Sequence, residues 1–169
     1  MKNIVRLVLV LAFCALPAAA QNNWDWSAAG STGVVGDGTA SLGLYDFTGA
    51  SFGVASTSIA TVDARYPVTN TMGSATDISP AFTTLQMAVT DQWSSGASVT
   101  ATLYQVDKCT GNETQLCSVT SSESDQDVHC DVCTFSGGLD FANNAYYVYA
   151  SVSKTTTGVD PRLWELAIY

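Results

Sequence analysis

The stretch Tyr147–Val152 (YVYASV) decides the fold, because its side chains change character at every residue. Val148, Ala150 and Val152 form an apolar set, and the residues between them form a polar and aromatic set. Successive side chains of a β-strand point to opposite faces, so this period of two predicts a strand with one face in the core. The same alternation recurs at Thr84–Thr90, Val99–Tyr104 and Trp164–Tyr169.

Turn-forming clusters such as Gly36-Asp37-Gly38 and Thr110-Gly111-Asn112 separate these and several weaker strand patterns. No window of a dozen residues shows the 3.6-residue apolar stripe of a helix that packs on a core. The sequence therefore predicts an all-β chain, an antiparallel β-sandwich of jelly-roll type with about 8–10 strands.

The first 20 residues have the composition of an export signal. Lys2 and Arg6 precede the apolar run Leu7–Leu16, and the small residues of a cleavage site follow at Ala18–Ala20. We therefore predict a signal peptide at 1–20, a single β-sandwich domain at 21–169, and a protein that is secreted, periplasmic or on the cell surface. After removal of the signal, no segment is long and apolar enough for a membrane-spanning helix. Within the domain, the Gly-rich stretch 30–43 is compatible with two alternatives, a strand or a mobile N-terminal segment.

The charge balance excludes one class of partner. The chain has 15 Asp and Glu but only 6 Lys and Arg, which gives a formal net charge of −9. A protein so poor in cations cannot neutralise the phosphates of a nucleic acid, so we expect no nucleic-acid partner.

Export also determines how the cysteines are interpreted, because disulfides form in oxidising compartments. Once Cys14 has left with the signal, an even number of cysteines remains, which predicts two disulfides with three connectivities open. These four are Cys109, Cys117, Cys130 and Cys133. We favour Cys109–Cys117, which flanks a turn, together with Cys130–Cys133, a tight C-x-x-C pair.

One acidic segment has the side chains of a metal site. It contains His129, the only histidine, beside three carboxylates, at Asp125, Asp127 and Asp131. Carboxylate oxygens can bind Ca²⁺, and a histidine with reduced cysteines can bind Zn²⁺. The spacing of an EF-hand is missing, and oxidised cysteines are not ligands. A solvated acidic loop with no cofactor is therefore the leading expectation, with Ca²⁺ and Zn²⁺ as alternatives.

Two features of the sequence bear on catalysis, a possible nucleophile motif and the placement of the carboxylates. Gly49-Ala50-Ser51-Phe52-Gly53 matches the G-x-S-x-G nucleophile elbow of hydrolases, but no helix pattern follows Ser51, as that turn requires. Glycosidases need two carboxyl groups facing one bond, and nothing in the sequence places two carboxylates on adjacent strands of one face. We therefore predict no catalytic residue and a non-catalytic protein, with a hydrolase as a minor alternative.

Exposed aromatic residues are the strongest indication of recognition. Trp93 lies in a turn beside Asp91 and Gln92, and Tyr147 and Tyr149 lie on the strand face opposite the apolar set. Aromatic rings next to polar side chains can stack on a sugar and bind its hydroxyl groups. The alternative is that Trp93 covers the end of the sandwich and that the tyrosines pack against a neighbouring strand.

The second half of the chain also resembles a known group of proteins. A Val-x-Ala-x-Leu-Tyr strand at Val99–Tyr104 precedes a Thr-Gly turn, then the run Asn143–Tyr149 and a closing Leu166–Tyr169. This succession, over about Phe82–Tyr169, resembles small exported bacterial β-sandwich proteins. The resemblance implies the fold and no functional residue, because no activity is assigned to that group.

Together these patterns predict a secreted, non-catalytic β-sandwich that binds or assembles at the cell surface. A glycan or a surface protein is the expected partner, and carbohydrate is the favoured ligand. The alternative is a pilus or matrix subunit that self-associates by adding an N-terminal strand, with Trp24, Trp26 and Ala28, to an open sheet edge. A small outer-membrane barrel and a hydrolase are further alternatives.

Overall fold

The computed structural model describes residues 26–55, 57–70, 78–79, 82–91, 96–121 and 127–169. Its strands are β1 Trp26–Ala29, β2 Val34–Val35, β3 Tyr45–Thr48, β4 Ser51–Val54, β5 Ala60–Val68, β6 Ile78–Ser79, β7 Thr84–Thr90, β8 Ala97–Asp107, β9 Glu113–Thr120, β10 His129–Thr134, β11 Leu139–Asp140, β12 Asn144–Lys154 and β13 Arg162–Ile168. A 3₁₀ turn, Gly30–Thr32, and one helix, α1 Asp37–Leu42, complete them. The predicted signal peptide, Gln92, Trp93 and Asp125 lie outside the described residues.

Two antiparallel sheets contain the long strands. The first sheet has the order β10-β7-β13-β4-β3, with β1 also pairing β13, and the second has the order β2-β5-β12-β8-β9. The chain crosses directly between these sheets from β1 to β2, β2 to β3, β4 to β5, β7 to β8, β9 to β10 and β12 to β13. It also crosses from β5 to β7 by way of β6 and from β10 to β12 by way of β11, and β6 and β11 pair with each other as a separate two-stranded sheet. These connections are those of a jelly roll, so the prediction of an antiparallel jelly-roll sandwich is confirmed.

The core lies between the two sheets, where the apolar sets of the alternating strands meet. From the second sheet, Val148, Ala150 and Val152 of β12 are fully buried, and from the first sheet Leu85 and Met87 of β7 are fully buried. Each such Val, Leu or Met side chain stabilises the fold by roughly 1.5–3 kcal/mol relative to an exposed one. The period-two pattern of the sequence therefore identified the inward faces of these strands correctly.

The alternation fails in β13, where the structure has a β-bulge. The register shifts between Leu163 and Glu165, so that Trp164 is the extra residue of the bulge. Leu163, Leu166 and Ile168 are buried in the core, whereas Trp164 is half-buried and its Nε1 donates to Thr90 Oγ1 at 3.2 Å. The alternation of Trp164 with Leu166 and Ile168 predicted Trp164 in the core, and the inserted residue is why that prediction is wrong.

The Gly-rich stretch 30–43 contains the 3₁₀ turn, β2 and α1. Tyr66 fixes the start of this stretch, because the buried Oη of Tyr66 donates a hydrogen bond to the Gly30 carbonyl oxygen at 2.6 Å. Gly33 lies against the same ring: a Cβ there would lie 2.5 Å from Cζ of Tyr66. Close contact with the Tyr66 ring therefore explains a glycine at position 33. Across the described part of the chain, no helix has the length and apolar character needed to cross a membrane.

The disulfide pairing differs from the predicted one. Cys117 of β9 is bonded to Cys133 of β10, with their Cα atoms 6.0 Å apart, so the bond joins the edge strands of the two sheets. The predicted Cys130–Cys133 pair is wrong because side chains three residues apart on a strand point to opposite faces.

The predicted Cys109–Cys117 pair is wrong for a different reason. Cys109 is an exposed free cysteine in the turn after β8, whereas Cys117 pairs in register with Leu103, well before that turn. The extended chain of β8 runs four residues from Leu103 to Asp107, roughly 13 Å, and Cys109 lies in the turn after it. No disulfide can bridge that distance.

Candidate ligand-binding face

The side of the second sheet that faces away from the core bears a row of aromatic side chains. Tyr147 and Tyr149 project from β12, Tyr104 from β8 and Arg65 from β5, and their alternating neighbours are buried. Tyr147 pairs in register with Tyr104, and Tyr149 pairs with Arg65. We call these four residues the tyrosine face.

The rings of the tyrosine face are packed into a stack. The Tyr104 and Tyr147 centroids are 5.2 Å apart with 17° between the ring planes, and Cζ of Arg65 lies 5.4 Å from the Tyr147 centroid. Because β5 and β8 flank β12 on opposite sides, Tyr147 is held between the guanidinium and the Tyr104 ring. Such stacking fixes the side chains in one arrangement before any ligand arrives.

The surroundings of Tyr147 and Tyr149 raise the pKa of both phenol groups. Burial raises the pKa of Tyr147, and the hydrogen bond with Glu113 raises it further. Burial also raises the pKa of Tyr149, with a smaller contribution from the Asp63 carboxylate. Both hydroxyl groups therefore remain protonated. The Tyr147 hydroxyl donates a hydrogen bond to Glu113 and can accept from a ligand, whereas the Tyr149 hydroxyl can donate as well as accept.

Hydroxyl groups surround the tyrosines on the same side of the sheet. Cross-strand hydrogen bonds join Thr102 Oγ1 to Ser118 Oγ at 2.8 Å and Thr100 Oγ1 to Thr120 Oγ1 at 2.9 Å. Thr102 is buried, but Ser118 and Thr120 are exposed, and each hydroxyl has more than one hydrogen-bonding position, so these two can also bond a polar ligand. The surface thus combines aromatic rings with many short polar groups.

A cleft of about 360 Å³ adjoins this face at the edge of the sheet. Two elements form it: β2 with the start of α1 on one side, and β5 on the other. Its lining residues are Val34, Val35, Gly36, Asp37, Gly38, Asp63 and Arg65. The Asp63 carboxylate occupies the space that a Cβ at Gly36 would need, so a glycine there lets the two walls approach. Arg65 belongs both to the cleft and to the stack.

Arg65 is unusual among the cations of the described residues because its side chain is exposed and contacts an aromatic ring. Lys154 is 2% exposed, and the side chain of Arg162 is 9% exposed and paired with carboxylates. Lys108 Nζ donates to the Phe141 carbonyl at 2.6 Å. Arg65 is therefore the cation best placed to meet a ligand on this face.

The structure places the predicted ligand-contacting residues in different parts of the molecule. Tyr147 and Tyr149 lie on the tyrosine face, but Asp91 lies after β7 in the other sheet and is only 4% exposed. Asp91 is therefore buried at the end of β7, away from the tyrosine face, and its role as a ligand-binding residue stays a prediction. Gln92 and Trp93 lie outside the described residues, and their role stays a prediction.

Sequence reasoning missed Arg65 and Tyr104. Both lie in predicted strands. The sequence did not indicate that Tyr104 lies beside Tyr147, because the pairing of β8 with β12 joins residues about forty positions apart along the chain. A signal was present, since Tyr104 belongs to the polar set of an alternating strand, as Tyr147 and Tyr149 do. The strand order was the missing information.

The residues of the predicted metal site lie at or near β10. His129 Nε2 and Asp131 Oδ2 are 3.3 Å apart on one face of that strand, and Asp127 precedes it. Within residues 26–169, omitting the gaps given above, no three His, Cys, Asp or Glu side chains converge as metal ligands. Since Asp125 is not described, Ca²⁺ binding stays a prediction.

Ser51, of the G-x-S-x-G pattern, is a structural residue. It is fully buried at the start of β4, and its Oγ donates to the Thr48 carbonyl at 2.8 Å across the β3–β4 turn. His129 lies three strands away in the same sheet, a distance of roughly 14 Å. The serine and the histidine therefore do not form a nucleophile–base pair.

Comparison with known proteins gives a similarity of structure. No protein-family model matches the chain, and no curated protein matches it. Among solved structures, the chain is similar to the "Family 11 Carbohydrate-Binding Module from Clostridium thermocellum in complex with beta-1,3-1,4-mixed-linked tetrasaccharide". The identity is 11%, the match covers 89% of this chain and 91% of that chain, and the TM-score is 0.44.

Proposed function

We propose that this protein is a non-catalytic β-sandwich module that binds carbohydrate on its tyrosine face. The observation that supports the proposal is the stack of Arg65, Tyr147 and Tyr104 on the solvent side of the second sheet, with Tyr149 beside it. Sugars present apolar C–H surfaces and hydroxyl groups together, and a site for them needs rings and hydrogen-bonding groups side by side.

The arrangement assigns different tasks to the rings. Tyr147 is covered on both faces, so it offers its edge and its hydroxyl group. Tyr104 has one ring face turned away from Tyr147, toward β9, and Tyr149 lies in the next row of the same strand. We therefore expect Tyr104 and Tyr149 to pack against sugar rings, with Arg65 as a hydrogen-bond donor and the Tyr147 hydroxyl group as an acceptor.

The proposal includes export as predicted from residues 1–20. A disulfide between the two sheets is typical of proteins that fold in oxidising compartments, in agreement with that prediction. Assembly by strand addition is less well supported, because β1 already pairs with β13 of its own chain in register Trp26–Ile168. A strand in that position is not available to a neighbouring subunit.

Binding can be tested with residues 21–169, produced with the disulfide intact, by affinity electrophoresis and calorimetry. The probes are soluble β-glucans, xylan, galactomannan and an α-glucan. We expect at least one to bind, and we expect Tyr149→Ala and Tyr104→Ala each to weaken it by about tenfold, the equivalent of one ring contact.

Tyr169→Ala is the matched control, because Tyr169 is a half-buried tyrosine on the outer side of the other sheet. Its affinity should stay within about twofold of the parent. Absence of binding to every probe would contradict the proposal, and so would an equal loss of affinity in all three variants.

A further inference from the structure

The cleft and the tyrosine face are parts of one surface. Val34 of β2 pairs in register with Arg65 of β5, and Arg65 pairs with Tyr149 of β12. A line across the strands therefore runs from the cleft through Arg65 to the tyrosines without interruption. Val34 is 66% exposed at the end of this line.

The length of this line bears on the size of the ligand. Val34 lies on the first and Tyr104 on the last of four adjacent strands, β2, β5, β12 and β8, so three strand spacings separate them. At about 4.8 Å between strands, the two ends are roughly 14 Å apart. A single sugar ring cannot contact both ends, whereas an extended oligosaccharide can.

The charge of the cleft bears on the chemistry of the ligand. Arg65 is accompanied by the carboxylates of Asp37 and Asp63, so the lining is negative in sum. The whole chain has a formal charge of −9, and its field repels an approaching polyanion at low ionic strength. Uncharged glycans meet no such repulsion.

We propose that the cleft at Val34–Gly38 continues the tyrosine face, so that the site holds an extended, uncharged oligosaccharide whose chain crosses β8, β12, β5 and β2. This inference rests on the proposed function and adds the direction, the minimum length and the charge class of the ligand. Arg65 joins the two parts, because its guanidinium stacks on Tyr147 and lines the cleft.

Gly38 allows the cleft to be closed without disturbing the tyrosines. It lines the cleft, and a Cβ added there meets nothing within 4 Å, so Gly38→Leu places a side chain in open space. Ala40→Leu is the matched control, since Ala40 is exposed on the same helix but does not line the cleft. Thermal melts of both variants establish that they fold.

The experiment uses oligosaccharides of increasing length, released from the neutral polysaccharide that binds best. For the parent and Ala40→Leu, affinity should rise with chain length beyond the disaccharide and then reach a plateau. Gly38→Leu should lower the affinity for the longest oligosaccharide about tenfold and change that of the shortest binding one by less than twofold.

The outcomes separate this inference from the proposed function. If Tyr149→Ala weakens binding about tenfold while Gly38→Leu binds every length as the parent does, the tyrosine face binds sugar and the cleft does not. A parent whose affinity does not depend on length beyond one sugar would also overturn the inference, even if Gly38→Leu did not fold. A carboxymethylated form of the same polysaccharide should bind more weakly in low salt, and tighter binding that added salt reverses would refute the charge assignment.

Discussion

Gly30 lacks a side chain at the point where the chain leaves β1 and passes over β13. A Cβ at this position would overlap the Leu163 carbonyl oxygen and would lie 3.0 Å from the Phe52 backbone nitrogen. Both obstacles are backbone atoms of paired strands, which cannot move aside as a flexible side chain can. We therefore expect Gly30→Ala to lower the free energy of unfolding by roughly 1–3 kcal/mol, measured by urea denaturation.

Gly38→Ala is the control for this effect, because the added methyl group meets open space on α1. Alanine is also the better helix former, so this variant should be as stable as the parent or slightly more stable. If both alanine variants unfold at the same urea concentration as the parent, the close approach of the chain to β13 at Gly30 does not exist.

The outward position of single side chains could be predicted from the sequence, but their neighbours could not. Alternation along β12 placed Tyr147 and Tyr149 opposite the core set, and the structure has them there. Alternation says nothing of which strands lie beside β12, and so Arg65 and Tyr104 were not associated with them. Asp91 shows the converse: its surroundings in sequence are polar, but the end of β7 is covered in the folded chain.

At the scale of elements, the disulfide joins β9 to β10 and thereby closes one side of the sandwich. Sixteen residues separate Cys117 from Cys133, and closing a loop of that size in the unfolded chain is worth roughly 3 kcal/mol. We expect the double variant Cys117→Ala, Cys133→Ala to lose about that much stability in urea denaturation. Peptide mapping of the parent should recover the two cysteines in one linked fragment.

Cys109→Ala distinguishes this pairing from the one that the sequence suggested. Cys109 is an exposed thiol in the β8–β9 turn, so its replacement should leave the stability unchanged. A large loss of stability in Cys109→Ala, or a fragment that links Cys109 to Cys117, would contradict the structure.

The elements show why cysteine spacing was a poor guide to connectivity. The short separations 109–117 and 130–133 favoured local pairs, but the fold brings the edges of two different sheets together at β9 and β10. The bulge in β13 could not be predicted from the sequence either, because no residue in the run Arg162–Ile168 marks where the extra residue lies. Hydrophobic alternation thus predicted the strands and the fold class, whereas features that depend on contacts between strands required the structure.

For the whole molecule, the folded state lowers the pKa of several carboxyl groups and so links stability to pH. The hydrogen bond from Thr48 and then the contact with Arg162 lower the pKa of Asp46. The pKa of Asp107, in the β8–β9 turn, is lowered by three hydrogen bonds. The largest contribution comes from the Thr110 backbone N–H, followed by the Thr110 hydroxyl group and the Cys109 backbone N–H. Such groups stabilise the fold when ionised, so their contribution is present above the unfolded-state pKa and is lost as the pH falls through the folded-state pKa.

Asp107→Asn isolates one of these contributions, because the amide does not ionise in this range. The parent should be more stable than Asp107→Asn at pH 7, and the difference should begin to shrink near pH 4, the usual pKa of an unfolded aspartate, and continue to shrink below it. Urea denaturation of both proteins at a series of pH values from 7 down to 2.5 measures this difference. The two chains share all their other charged groups, so the effects of the overall charge of −9 on stability largely cancel when one free energy of unfolding is subtracted from the other. If the difference in the free energy of unfolding between the two proteins stays constant throughout the acid range, the turn does not stabilise the ionised carboxylate of Asp107 over the protonated one.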